Sequence, residues 1–193
     1  SQLSPAAAEK DPADDLLSAW PRHRLDAESI RDTMLLLSGN LDPTIGGEHP
    51  FPPQSDWKFT QHNPFKAVYE TNRRSVYLMT QRIQRHPYLA IFDGADPSTS
   101  TPARQTSTTP LQALYLLNDK FVHEQAEGLA RRLHAELGDD GLRIERTWQL
   151  MFGRAPDADE KSAAMEFLIE TQKELESNAE EPAILEQKSW QAL

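Results

Sequence analysis

The chain has 193 residues, no cysteine, and 30 acidic against 20 basic side chains, a formal net charge of -10. That length supports one domain with its own core, and the absence of cysteine excludes disulfides, thiolate nucleophiles, Cys-ligated zinc or iron–sulfur centres and covalent c-type haem attachment within these residues. The acidic balance speaks against a nucleic-acid partner, and no run of apolar residues is long enough to span a membrane.

Residues 1–19, rich in Ala, Asp and Pro, are expected to form a flexible arm. Residues 20–193 then read as one mainly helical domain. The first helix is predicted from Asp26, a capping residue type, with Ile30, Met34, Leu35 and Leu37 on its apolar face and Gly39 as its stop. Residues 40–64 read as a long irregular loop, broken by Pro43, Pro50, Pro52, Pro53 and Pro64. Trp57, Phe59 and Phe65 lie in or beside it and are expected to pin it to the body. Ser75–Thr80 is the only stretch that resembles a strand, although no partner strand is evident. His86-Pro87 separates it from the apolar Tyr88–Phe92, and residues 93–109 read as loop.

From Pro110 the pattern is helical. Thr109 before Pro110 is a plausible cap followed by proline at the first helical position. Asn118-Asp119 punctuates and starts a helix running to about Leu137, with Phe121, Val122, Ala126, Leu129, Ala130 and Leu133 at helical spacing. Leu142, Ile144, Trp148, Met151 and Phe152 mark the next helix, closed by Gly153. Asp157 with Glu160 resembles a capping box at the start of another. Ala183, Leu185, Trp190 and Leu193 mark a last helix that ends on its apolar face, the pattern expected of a module truncated at its C-terminus. The expected fold is therefore mainly α, with an irregular, loop-rich N-terminal half packed on a C-terminal helical bundle.

Charge is distributed in blocks. Residues 1–71 carry a net -5 and residues 119–193 a net -8, whereas residues 72–104 carry a net +3 from Arg73, Arg74, Arg82, Arg85 and Arg104 against Asp93 and Asp96. Such an island either bridges internally to the acidic segments or offers a patch to an acidic ligand. Asp93 and Asp96 precede Gly and Pro, where turn capping is their ordinary role. Phosphate loops, His-Glu-x-x-His and Gly-x-Ser-x-Gly are all absent. The six histidines are scattered; His49 and His62 share the long loop with Glu48 and Asp56, but solvated loop histidines are the expectation and no metal site is assigned.

Several stretches, in order, resemble one family. They are Arg22-His23-Arg24-Leu25-Asp26-Ala27-Glu28-Ser29-Ile30-Arg31-Asp32, Ser38-Gly39-Asn40-Leu41-Asp42, Asn72-Arg73-Arg74-Ser75-Val76-Tyr77, and Phe92-Asp93 followed by Asp96. Ser107-Thr108-Thr109-Pro110-Leu111-Gln112-Ala113-Leu114, Phe152-Gly153-Arg154-Ala155-Pro156 and Trp190-Gln191-Ala192-Leu193 complete the series. The sequence resembles domain of unknown function 1553, the C-terminal module of large planctomycete proteins, over residues 11–193. The resemblance implies an exported, extracytoplasmic parent with a cytochrome c module ahead of this one, so that haem c would lie in upstream domains and no cofactor in this stretch. It also implies a short helical tail after Leu193. Members often carry a cysteine near the position of Ser100, which this chain lacks. The family has no assigned catalytic residues, so none is carried over.

The leading expectation is an interaction or scaffold module of that haem-associated multidomain protein, with the other domains of the parent polypeptide as partners. Its contact surface would be the arginine island with the hydroxyl-rich loop 98–109, and Arg73, Arg74, His86, Asp93 and Arg104 are the candidate ligand-binding residues. One alternative is a domain binding acidic or sulfated polysaccharide through those arginines with Trp57 or Tyr77. The other is an enzyme domain using His86, Asp93 and Arg104, which would have to converge in one pocket.

Overall fold

The computed structural model describes residues 5–13, 15–18, 23–47, 55, 66–176 and 182–193. Its elements are α1 (Pro5–Lys10), α2 (Ala27–Ser38), a 3₁₀ turn (Ser75–Tyr77), α3 (Pro87–Ile91), α4 (Pro110–Asn118), α5 (Lys120–Glu136), α6 (Asp140–Phe152), α7 (Ala158–Glu176) and α8 (Pro182–Ala192). Among the described residues there is no strand, and the chain is mainly helical as its periodicity predicts. The aromatics of the long loop, Trp57, Phe59 and Phe65, and the histidines His49 and His62 lie outside the described residues. Helix α1, in the expected arm, buries no residue.

Local chemistry sets the helix ends. Thr109 and Gln112 form a reciprocal capping box at α4, with Pro110 in the first turn. Asp119 accepts from the Phe121 amide at 2.9 Å to start α5, and Asp139 accepts from the Leu142 amide at 2.9 Å to start α6. Asp157 and Glu160 exchange backbone-to-side-chain bonds of 2.9 and 2.8 Å ahead of α7. Gly39 and Gly153 close α2 and α6 in the left-handed region, where a side chain would be strained. Asp26 stands at the start of α2, but its side chain makes no cap bond.

The strand-like stretch Ser75–Thr80 forms no strand. Tyr77 and Leu78 donate their amides to the carbonyls of Arg74 and Ser75 at 2.9 and 3.0 Å, a local turn, and among the described residues no second strand lies alongside to complete a ladder. The nearest approach to a sheet is an isolated parallel bridge between Asp42 and Arg73. Tyr88–Phe92 is instead mostly helix, started by Pro87.

Among the described residues two apolar cores result. One joins α5, α6, α7 and α8 through Ala130, Leu133, Ile144, Ala164, Leu168 and Trp190. The other gathers Ala27, Leu78, Tyr88, Leu89 and Phe92 around the start of α2, with Ile30, Ile91 and Tyr115 at its edge. Helix α2 packs along α5 and ties the irregular half to the bundle. At that crossing Gly128 lets the helices approach: a Cβ there would sit 2.8 Å from the Ser38 Cβ. The contact is fixed by polar bonds, with Gln125 Oε1 accepting from Ser38 Oγ at 2.7 Å and from Asn40 Nδ2 at 2.9 Å. Arg132 donates to the Leu37 carbonyl at 3.1 Å, meeting a carbonyl in the last turn of α2.

Candidate functional site

Helix α2 carries a polar stripe that captures the basic segment. Arg31 sits four residues from both Ala27 and Leu35 on the buried face, and its side chain is only 7% exposed. It donates to the Arg73 carbonyl at 3.0 Å, to Ser75 Oγ at 3.2 Å and to the Thr71 carbonyl. Burial pushes its pKa down, and neighbouring Asp32 opposes that. Asp32 accepts from the Ser75 amide at 2.7 Å and faces Arg74 Nε at 3.6 Å. One helical turn earlier, Glu28 receives Arg104 as a two-pronged pair at 2.8 and 3.3 Å.

Beside Arg31 lies a cavity of about 410 Å³ between α2, α3, α4, α5 and the segment 68–72. Its inner wall is Arg31, Leu78, His86, Tyr88, Tyr115 and Phe121. The guanidinium of Arg31 lies 5.3 Å from the centre of the Phe121 ring. Tyr88 donates its hydroxyl to the Ala27 carbonyl at 2.6 Å, and Tyr115 bonds to Asp119. Burial raises both phenol pKa values, so both stay neutral. His86 has its pKa lowered by burial and then by the Arg31 charge. Its Nδ1 is buried and has no hydrogen-bond partner. Glu70, Lys120 and Glu124 stand at the mouth.

A second concavity, of about 500 Å³, runs between α2, α4, α5, α6 and α8 and ends at Leu193. Among the described residues no charged side chain lines it; Met34, Leu37, Leu129, Met151 and Trp190 are among its walls. Leu111, Leu114 and Leu117 of α4 stand more than half exposed nearby in sequence to its lining residue Leu116.

The five residues singled out from the sequence do not share one site. His86 lines the first cavity. Arg73 is buried, stacks 3.9 Å over the Tyr77 ring and donates to the Thr44 and Gly46 carbonyls. Arg74 is exposed and pairs with Asp32, and Arg104 is held by Glu28. Asp93, at a positive φ of 61°, binds Ser107 through its amide at 2.8 Å and its hydroxyl at 2.8 and 2.9 Å. Those bonds hold its carboxyl below the usual range. Asp96 caps its own turn through the Ser98 amide and faces Arg85 at 3.9 Å. Among the described residues no group of three His, Asp or Glu side chains is placed to hold a metal ion.

Two organising residues escaped the sequence reading. Arg31 and Gln112 are polar side chains buried to 6% and 4% exposure. Gln112 accepts from the Thr109 amide and from Arg24, and donates to the Ile91 carbonyl at 2.9 Å and to Ser107 Oγ at 3.2 Å. The available signal for Arg31 was its place on the apolar stripe of α2, where a charge needs internal partners.

These features define a helical module in which one helix collects a basic loop by hydrogen bonds and leaves an aromatic pocket at the junction. The chain belongs to the family described as PSD1, protein of unknown function (DUF1553), whose profile matches residues 1–168. The match covers the residues that build the pocket, whereas Trp190-Gln191-Ala192-Leu193 lies beyond it. No curated protein and no solved structure matches the chain.

Proposed function

We propose that this chain is an interaction module that packs against another domain of its parent polypeptide, in an exported and haem-associated protein. The observation that carries this reading is the uncharged cleft at the α2, α4, α5, α6 and α8 junction, together with exposed Leu111, Leu114, Leu117, Met151 and Phe152. An uncharged cleft with exposed large apolar side chains on the helices that form it suits an interaction site. A second copy is the less suitable cover, since two chains of net charge -10 repel each other. A tethered neighbour meets the surface at millimolar effective concentration whatever its charge. Without cysteine here, any covalent haem belongs to that neighbour.

The polysaccharide reading requires free arginines, and Arg73, Arg74 and Arg104 already have internal partners. The enzyme reading requires His86, Asp93 and Arg104 to meet, and Asp93 and Arg104 are engaged with Ser107 and Glu28.

Hydrogen exchange in the isolated chain and in the intact parent tests the proposal. Amides of α4 and of the α6 C-terminal turn are expected to exchange at least about tenfold more slowly in the parent. Equal exchange in both would overturn it.

A further inference from the structure

The cavity beside Arg31 is separate from the apolar cleft, and its polarity runs in one direction. At its inner end Arg31 spends its N–H groups on neutral acceptors, the Thr71 and Arg73 carbonyls and Ser75 Oγ. Its nearest carboxylate, Asp32, is 4.0 Å away. Its positive charge therefore reaches into the cavity, across low-dielectric walls where a charge acts strongly. Burial lowers the pKa of the histidine beside it, and its buried Nδ1 has no partner, a state that costs free energy until something bonds to it. At the outer end the exposed Glu70 and Glu124, with half-buried Asp119, outnumber Lys120, and Lys120 already pairs with Glu124 at 3.3 Å. Between the ends the walls are Leu78, Tyr88, Tyr115 and Phe121.

A simple cation would meet Arg31 at the inner end, and a simple anion would have to pass the carboxylates at the mouth. We infer that the pocket binds a small zwitterion with an apolar body, its carboxylate turned inward to Arg31 and His86 and its ammonium held at the mouth by Asp119 and Glu124. An ω-amino acid, whose carboxylate and ammonium stand at opposite ends of an aromatic or alkyl spacer, has that charge order. With about a dozen heavy atoms it also suits a cavity of about 410 Å³.

The probe is 4-(aminomethyl)benzoate, followed by the ring carbon–proton signals of the histidines. The His86 signal is expected to shift saturably with a dissociation constant of about a millimolar, while those of His123 and His134 stay in place. Benzylamine, which lacks the carboxylate, and 4-methylbenzoate, which lacks the ammonium, are expected to bind at least about tenfold more weakly. Tyr115→Leu should weaken binding of the zwitterion by a similar factor, and Glu124→Gln, on the exposed face of α5, should weaken it severalfold without disturbing the fold. No saturable shift at about thirty times the expected constant overturns the proposal. So does equal binding of either single-charge analogue, or an equal shift at His123.

Discussion

Arg31 shows how a buried charge is tolerated in a small helical domain. Its guanidinium is taken out of water, yet three acceptors from the segment 71–75 receive it and Phe121 covers one face. Buried ion pairs often contribute little net stability, and an apolar replacement of both partners can be neutral. Here only one side can be replaced, because two of the acceptors are backbone carbonyls that no substitution removes. Arg31→Met is therefore expected to destabilise the fold by about 3 kcal/mol, two or three acceptors losing their donor at once. Urea unfolding followed by circular dichroism measures this. A loss under about 0.5 kcal/mol would mean that water replaces the guanidinium freely. The same residue explains a boundary of sequence reading. The arginine island 73–104 was visible as a charge block, and internal bridging was one of its two readings. Which acids receive it was not visible, since Glu28 and Asp32 lie more than forty residues away and are chosen by the direction α2 faces.

At the scale of elements, capping chemistry was the most legible signal. Thr109, Asp119, Gly153 and the Asp157–Glu160 pair all lie where local bonds decide the backbone, and local bonds need no knowledge of the fold. The strand at Ser75–Thr80 misled for the opposite reason. A β-rich composition becomes a strand only with a partner, and that is a tertiary fact. The crossing of α2 and α5 was likewise hidden, because Gly128 reads from sequence only as a weak helix residue. Gly128→Ala isolates its role. In a free helix the change would stabilise by up to about 1 kcal/mol. In the folded chain the new Cβ meets Ser38 at 2.8 Å and its carbonyl at 3.1 Å, and Ser38 is held in place by Gln125. The helices must separate, so a net loss of about 1–3 kcal/mol is expected. A thermal midpoint equal to or above that of the parent sequence would show that the crossing has slack.

For the whole molecule the charge blocks and the buried histidines together set the response to acid. His86 and His134 both have folded pKa values below the ordinary 6.5, His86 through burial and then Arg31, His134 through burial and then Arg143. For His134 the geometry pulls both ways: Glu186 lies 3.4 Å from its Nδ1 and favours the proton, but burial and Arg143 prevail. A group with a depressed folded pKa binds protons better in the unfolded chain. Its contribution is therefore complete above pH 6.5 and is lost as the pH falls below that value towards the folded pKa. Asp93 and Glu136 are depressed from 3.8 and 4.5, by Ser107 and by Arg132 respectively, and Glu160 is held down to about 2 by Arg154. Their contributions survive the first loss and fade only below about pH 4.5, by small amounts because these carboxylates face solvent. Stability should thus be level from pH 8 to 7, fall below pH 6.5, and fall again below pH 4.5. Guanidinium unfolding at half-unit pH steps resolves the two stages, and His86→Gln with His134→Gln should flatten the first and leave the second. A level profile down to pH 5 in the unsubstituted chain would mean that neither imidazole is desolvated enough to matter. The second stage would then stand alone, with the links from Asp93 to Ser107 and from Glu136 to Arg132 as the acid-sensitive joints of the fold.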